Sequence, residues 1–426
     1  MVVTSYPATI PISLERTSSR AINRYVQRIP NKRTRREYLG RLITFETFIK
    51  ENYNFSVDEL TINKLFDFRE DIYELLASYV AWLTARVDKN GYKLSAVSIK
   101  NRIVTVRRFL ETFDIDISQR KFQLKVNLPR VATEDKEPLS KEDIVKMLEA
   151  CSKFKLKTYL IFLGATGARP SEAASVRIKD IDFANSKVKF RAEFTKTKKG
   201  RYVFLTEELK EYLKTWIDIK YRERRLYLKD RHCNRKVKPN IREEDLVFSS
   251  FFTYNGDSYN NNNSRKENVS EQDNVANIYT TLVIDFNRLV NQLKFGYENT
   301  TRRRHIFTFH SMRRFVKTTI SDLGYSDYSE WYIGHIGSTY YRKGDKEKYE
   351  LFKNHLEPYL TYLDQRGLEQ KQTDMQSRLE MMERENKDLR GNINKIMEMI
   401  QQNPKLANVK PEVLTKKASQ SVQTVY

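Results

Sequence analysis

The chain has 426 residues and a formal net charge of +22, from 77 Lys and Arg against 55 Asp and Glu. That length allows two or three domains, each with its own core, and the charge points to a polyanionic partner, nucleic acid before an acidic membrane. The two cysteines, Cys151 and Cys233, lack CxxC spacing, which excludes a disulfide framework and a cysteine zinc site. No apolar run approaches the roughly 20 residues that span a bilayer. The opening MVVTSYPATIPISLER has no charged start ahead of an apolar core, so no secretory signal is read there. The expectation is a soluble, basic protein of the reducing cytoplasm.

Residues 1–32, with three prolines and few large apolar side chains, read as a poorly ordered N-terminal arm. From Thr34 the pattern turns helical. Tyr38, Leu42, Phe45 and Ile49 form an apolar stripe, with Thr34 as expected N-cap and Glu37 completing a capping box. Further helices are expected across Leu60 to Phe68, Ile72 to Arg86 and Ser95 to Phe113. The last carries Lys100, Arg102, Arg107 and Arg108 around an apolar face of Ile99, Ile103, Val106 and Leu110. Residues 33–125 thus read as an all-helical module whose basic faces suit the DNA backbone. The polar, proline-flanked 126–138 is the expected linker.

Ser140 caps the next predicted helix, SKEDIVKMLEA, with Asp143 at its third position. Thr158 to Gly167 reads as a buried helix ended by glycine, and Arg169 follows in TGARPSEAASV. A guanidinium at a buried junction needs a carboxylate or a phosphate as partner. Glu172 is the carboxylate at hand. Lys187 to Phe194 and Arg201 to Thr206 alternate as a β-hairpin whose turn holds Lys196, Lys198 and Lys199. Such a turn is either a solvated edge or a cation offered to DNA. Helical sequence is expected from there through about Lys229. Residues 253–277, rich in Asn, Ser, Asp and Glu, read as a surface insertion, with helical patterning from Tyr279 to Leu293.

The chain converges on Thr308 to Glu350. His310 and Arg313 share a helical face, Val316, Thr319, Ile320 and Leu323 continue the helix, and Gly324 ends it. Gly334-His335 and the pair Tyr340-Tyr341 follow, with Arg342 behind them. Imidazoles, guanidiniums and a phenol in one basic stretch are the groups that attack or hold a phosphodiester.

The order TGARPSE, lysine hairpin, HSMR, IGH and tyrosine resembles the tyrosine recombinase (phage integrase) family, over roughly residues 33–365. The texture of EWYIGH, STYYRK and EPYLTYLD is similar to archaeal integrases. The resemblance implies a mainly α fold with a small β-sheet or hairpin. A helical, SAM-like core-binding domain (33–125) would precede an α+β catalytic domain (139–364). It implies Arg169, Lys196, His310, Arg313 and His335 as catalytic residues and Tyr341 as nucleophile. Tyr340 is the alternative nucleophile and Lys198 the alternative lysine. Tyr341 lies six residues past His335, closer than the family's usual spacing, so attack in cis or in trans stays open. Two guanidiniums would hold the nonbridging oxygens, Lys196 would protonate the departing 5′ oxygen, and His310 would accept the tyrosine's proton. His335 would donate to a phosphate oxygen. Neither metal nor cofactor is implied. The partners implied are double-stranded DNA and further copies of the chain, a dimer on a site and a tetramer in synapsis, with no membrane. The implied activity is site-specific recombination through a 3′-phosphotyrosyl link, as in integration and excision of a mobile element, in the cytoplasm at the nucleoid. A type IB topoisomerase-like enzyme or a catalytically silent DNA-binding protein are the rival readings.

After Asp364 the sequence changes character. Leu368, Met375, Met382, Leu389 and Ile396 repeat every seven residues, and Leu379, Asn386, Ile393 and Ile400 each lie four residues beyond one of the last four. This predicts a coiled coil over 365–402, or one amphipathic helix folded back on the domain, before a disordered 403–426.

Overall fold

The computed structural model describes residues 17–62, 72–87, 91–131, 138–228, 233–254, 257–259, 270–296, 305–335 and 343–363, with positions 389 and 391. The chain divides into two compact units that part between Lys136 and Glu137. Both are dominated by helices, with small antiparallel sheets in the second, so the mainly α fold expected from the sequence is the one observed.

The first unit holds α1 (Arg20–Gln27), α2 (Lys32–Asn52), α3 (Val57–Thr61), α4 (Ile72–Ala85), α5 (Ala96–Glu111) and α6 (Gln119–Lys125). Its core is built on Leu42, Phe45, Leu76, Tyr79, Ile103 and Phe109, each fully enclosed. Burying one such side chain contributes about 1.5–3 kcal/mol. Residues 17–32 depart from the expected arm, because α1 packs its Ala21, Ile22 and Val26 into this core. Its start is tied down from elsewhere in the chain. The Asp58 carboxylate accepts from the Ser19 hydroxyl and from the Arg20 and Ala21 amides, and Glu46 accepts from Thr17 and Ser18. The cap of α2 is Asn31, not Thr34, since the Asn31 side chain accepts the Thr34 amide at 3.0 Å. The helix expected across Leu60 to Phe68 is the short α3, whose capping box joins Ser56 and Glu59. Residues 63–71 lie outside the described residues.

The second unit begins with α7 (Lys141–Ala150), capped by Ser140 and Asp143 as expected, and α8 (Phe154–Thr166). Buried along nearly its whole length, α8 is the central rod on which α7, α9 (Pro170–Ala174), α10 (Glu207–Lys220), α11 (Glu271–Gln292) and α12 (Phe309–Asp322) pack. Strands β1 (Ile181–Asp182), β2 (Lys187–Phe190) and β3 (Arg201–Phe204) form an antiparallel sheet in that order, with Val188 opposite Val203. The expected hairpin is therefore present but shorter, since Ala192–Phe194 turn as a 3-10 helix.

Helix did not continue to Lys229. After α10 the chain forms a second hairpin, β4 (Arg224–Leu228) with β5 (Cys233–Val237). Good helix formers such as Arg and Leu are overridden there by cross-strand pairing. The insertion is also shorter than 253–277. Strands β6 (Phe252–Tyr254) and β7 (Asp257–Tyr259) pair, and α11 starts at Glu271 behind a Ser270 cap. Glu271 and Asp273 in its first turn suit the positive end of the helix. The unit continues with α12, which ends just ahead of a left-handed Gly324, then α13 (Ser326–Ile333) and α14 (Asp345–Leu351). Beyond α14, the buried Glu208 carboxylate accepts the Tyr362 and Leu363 amides. The predicted coiled coil and tail lie outside the described residues, save Leu389 and Gly391.

Candidate active site

Three helix ends meet around Arg313. Its backbone belongs to the second turn of α12, whose Met312, Val316 and Ile320 are fully buried, and packing of that face carries the guanidinium inside. One Nη donates to the Gly167 carbonyl at 2.7 Å and the other to the Ile333 carbonyl at 2.6 Å. Gly167 and Gly334 are the left-handed C-caps of α8 and α13 (φ +59° and +68°), so Arg313 sits at the negative ends of two helices. The Tyr332 hydroxyl fixes the same junction, its single proton shared between the carbonyls of Ala165 and Phe204 at 3.0 and 3.1 Å.

Arg169 enters as the N-cap of α9, two residues past Gly167. Its Nη1 donates to Glu172 Oε1 at 2.7 Å and its amide to Glu172 Oε2 at 3.1 Å. Arg201, the first residue of β3, pairs with Glu172 Oε2 at 2.8 Å. Glu172 is fully enclosed. Burial by itself would raise its carboxyl, but the closely paired Arg201 charge and the hydrogen bonds from Arg169 outweigh that and hold it below the usual range. Arg313 is pulled the other way, down to about 10, by burial first and then by the charges of Arg169 and Arg201. It stays protonated at neutral pH. The junction thus holds three guanidiniums around one buried carboxylate, a local positive excess.

His310 lies three residues before Arg313 on α12 and is exposed. His335 follows the Gly334 cap, half exposed, with its Nδ1 on Glu330, whose other oxygen binds Lys317 at 2.6 Å. Lys196 is exposed in the turn between β2 and β3, while Lys198 turns its ammonium back onto the Glu193 carbonyl. Tyr340 and Tyr341 lie outside the described residues. Past them, Asp345 at the start of α14 is held by Tyr202 and Lys187 of the hairpin. In the first unit, α5 presents Lys100 and Arg108 outward. Arg107 is instead committed to Glu111 and the Ile117 carbonyl. Sequence reasoning missed Arg201, which had no signal beyond heading a strand. Among the described residues no group of three His, Cys, Asp or Glu could hold a metal, and no helix is long and apolar enough to cross a membrane.

Guanidiniums gathered where two helices end, beside a lysine-bearing hairpin, have the chemistry to hold an anion such as a phosphate. Residues 137–326 match the phage integrase family. It is 30% identical over 167 residues to the tyrosine recombinase XerA of Saccharolobus solfataricus, an alignment covering 37% of this chain. The chain spans about half, 54%, of that curated relative's length. Among solved structures it is similar to a lambda integrase dimer bound to a COC′ core site (12% identity, TM-score 0.47, covering 76% of this chain and 97% of that one). It is also similar to the Tn1549 transposon integrase in complex with transposon right end DNA (16% identity, TM-score 0.47, covering 79% of this chain and 98% of that one).

Proposed function

We propose that the protein is a site-specific DNA recombinase that breaks and rejoins double-stranded DNA through a 3′-phosphotyrosyl intermediate, acting as an oligomer at the nucleoid. The observation that carries this reading is the charge imbalance around Glu172. Three guanidiniums against one buried carboxylate call for an anion, and in a phage integrase domain the fitting anion is a DNA phosphate. Attack by a phenolic oxygen on phosphorus builds charge on the nonbridging oxygens. Arg169 and Arg313, positioned before the reaction, stabilise that charge as it develops. Arg313 has two N–H donors on backbone carbonyls, which lock its plane and leave its remaining donors for the phosphate.

In this reading Tyr341 is the nucleophile, with Tyr340 as alternative. His310 takes the phenol's proton, Lys196 protonates the departing 5′ oxygen and His335 donates to a phosphate oxygen. The P–O5′ bond breaks as the P–O(Tyr) bond forms, so the phosphodiester bond's energy is retained for rejoining. The test is a nicked suicide substrate, which traps the covalent species for peptide mass spectrometry. DNA is expected on Tyr341, and Tyr341→Phe should bind DNA without forming the adduct. An adduct on Tyr340 reassigns the nucleophile, and no adduct on any tyrosine overturns the reading.

A further inference from the structure

Arg201 touches three parts of the site at once. It heads β3, on the hairpin that carries Lys196, and its guanidinium lies over the Phe190 ring with 4.6 Å to the centroid. It pairs with Glu172 Oε2, and its flank fills the space under the turn that bears His335. A Cβ at position 334 would stand 2.7 Å from Arg201 Cδ, so that space exists because the residue is glycine. The Arg201 side chain is only 11% exposed; its Nε is buried with no hydrogen-bond partner among the described residues, and its Nη2 meets Glu172 Oε2 as a close ion pair without the alignment of a hydrogen bond. An incompletely satisfied buried guanidinium is destabilising. Something other than stability has to account for it.

The geometry at Glu172 supplies that account. Each carboxylate oxygen serves a different guanidinium, Oε1 that of Arg169 and Oε2 that of Arg201. Without Arg201, Oε2 would be free to accept a second N–H from Arg169. Guanidinium and carboxylate favour such a two-pronged pair. Arg169 would then be locked face-on to Glu172, with its donors turned from any phosphate. We infer that Arg201 is a positioning residue that occupies Glu172 Oε2 and so keeps the Arg169 fork open toward the phosphate. The inference rests on the reading of Arg169 as a phosphate ligand.

The test combines Arg201→Met with Glu172→Gln in the full-length protein. Two measurements are made, adduct formation on the nicked substrate at saturating DNA, and the rise in melting temperature with inorganic sulfate. Sulfate reports Arg169's availability without any chemistry. Arg201→Met should slow adduct formation about 100-fold, the order expected for one misplaced oxyanion donor, and should blunt the sulfate response. Adding Glu172→Gln removes the negative charge that captures Arg169, so the double variant should regain part of both. Simple loss of packing predicts the opposite, a double variant no better than the single one. Arg201→Gln, which keeps a donor at Oε2 without the charge, should fall between wild type and Arg201→Met and serves if the methionine variant does not fold. A neutral variant that matches wild type in both measurements, or a double variant with no recovery, overturns the proposal. Wild-type protein that answers to sulfate but never forms an adduct would sink the recombinase reading alone.

Discussion

Two arginine-rich regions of the same domain make an instructive pair. Around α11's first turn, Arg177, Lys179 and Arg191 face Asp180, Glu193, Glu244 and Glu271, so Lys179 has one carboxylate, Arg177 two and Arg191 three. Around α12, Arg169 and Arg201 pair with the one buried carboxylate, Glu172, while Arg313 makes no ion pair among the described residues and, of carboxylates, feels only the nearby charges of Glu172 and Glu330. Both regions are partly or deeply buried and both are dense in hydrogen bonds. Density of charge therefore does not mark the site. In the proposed function imbalance does, because a neutralised network has nothing left to offer an anion, while an uncompensated one gains when a phosphate arrives.

The comparison can be broken most forcefully at Arg313. Arg313→Met should lower adduct formation by about 10²–10³-fold. Stability should move by less than roughly 1 kcal/mol, since relief of guanidinium repulsion offsets the two lost carbonyl contacts. Suicide-substrate kinetics and calorimetry on the same variant check both halves, and a large drop in melting temperature would contradict the second. Next comes Gly334→Ala, which puts a side chain at φ +68° and against Arg201. It should cost about 1–3 kcal/mol of stability and slow adduct formation as well, read by thermal melts beside the cleavage assay.

The balanced region should answer in the opposite sense and more weakly. Glu271 is held down to about 2, as the hydrogen bonds and charges of Arg177 and Arg191 outweigh the effect of burial. A carboxylate lowered on folding contributes stability above its unfolded value. That contribution is lost as pH falls from the ordinary 4.5 toward about 2. Glu271→Gln should remove about 1 kcal/mol after allowing for solvent screening, a melting shift of roughly 2–4 °C. It should leave adduct formation unchanged at neutral pH. Melting curves of wild type and variant should converge as the solution is acidified through that window.

How much of this the sequence disclosed follows from how local each signal is. The helix of Arg313 was legible because Val316 and Ile320 repeat with its period, and Ser140 with Asp143 announced α7 through a cap contained in four residues. Arg169 was legible as a residue in need of a carboxylate or a phosphate. Arg201 was not, because both of its partners, Glu172 and Gly334, are remote in sequence and strand alternation says nothing of them. The same reason hid α1, whose fastening depends on Asp58 and Glu46. The second hairpin was hidden by residues that favour helix when read alone.

The grip of two backbone carbonyls on Arg313 also sets an order in time. Gly167 is made 146 residues before Arg313, and the second carbonyl, at Ile333, is made 20 residues after it. A ribosome working at about 5–20 residues per second therefore exposes α8 for several seconds before its partner exists. Until α13 has emerged and docked, the guanidinium lacks one of its two holds, and a nascent or prematurely ended chain has no assembled pocket. Assembly of the guanidinium junction is thereby deferred until α13 has been made.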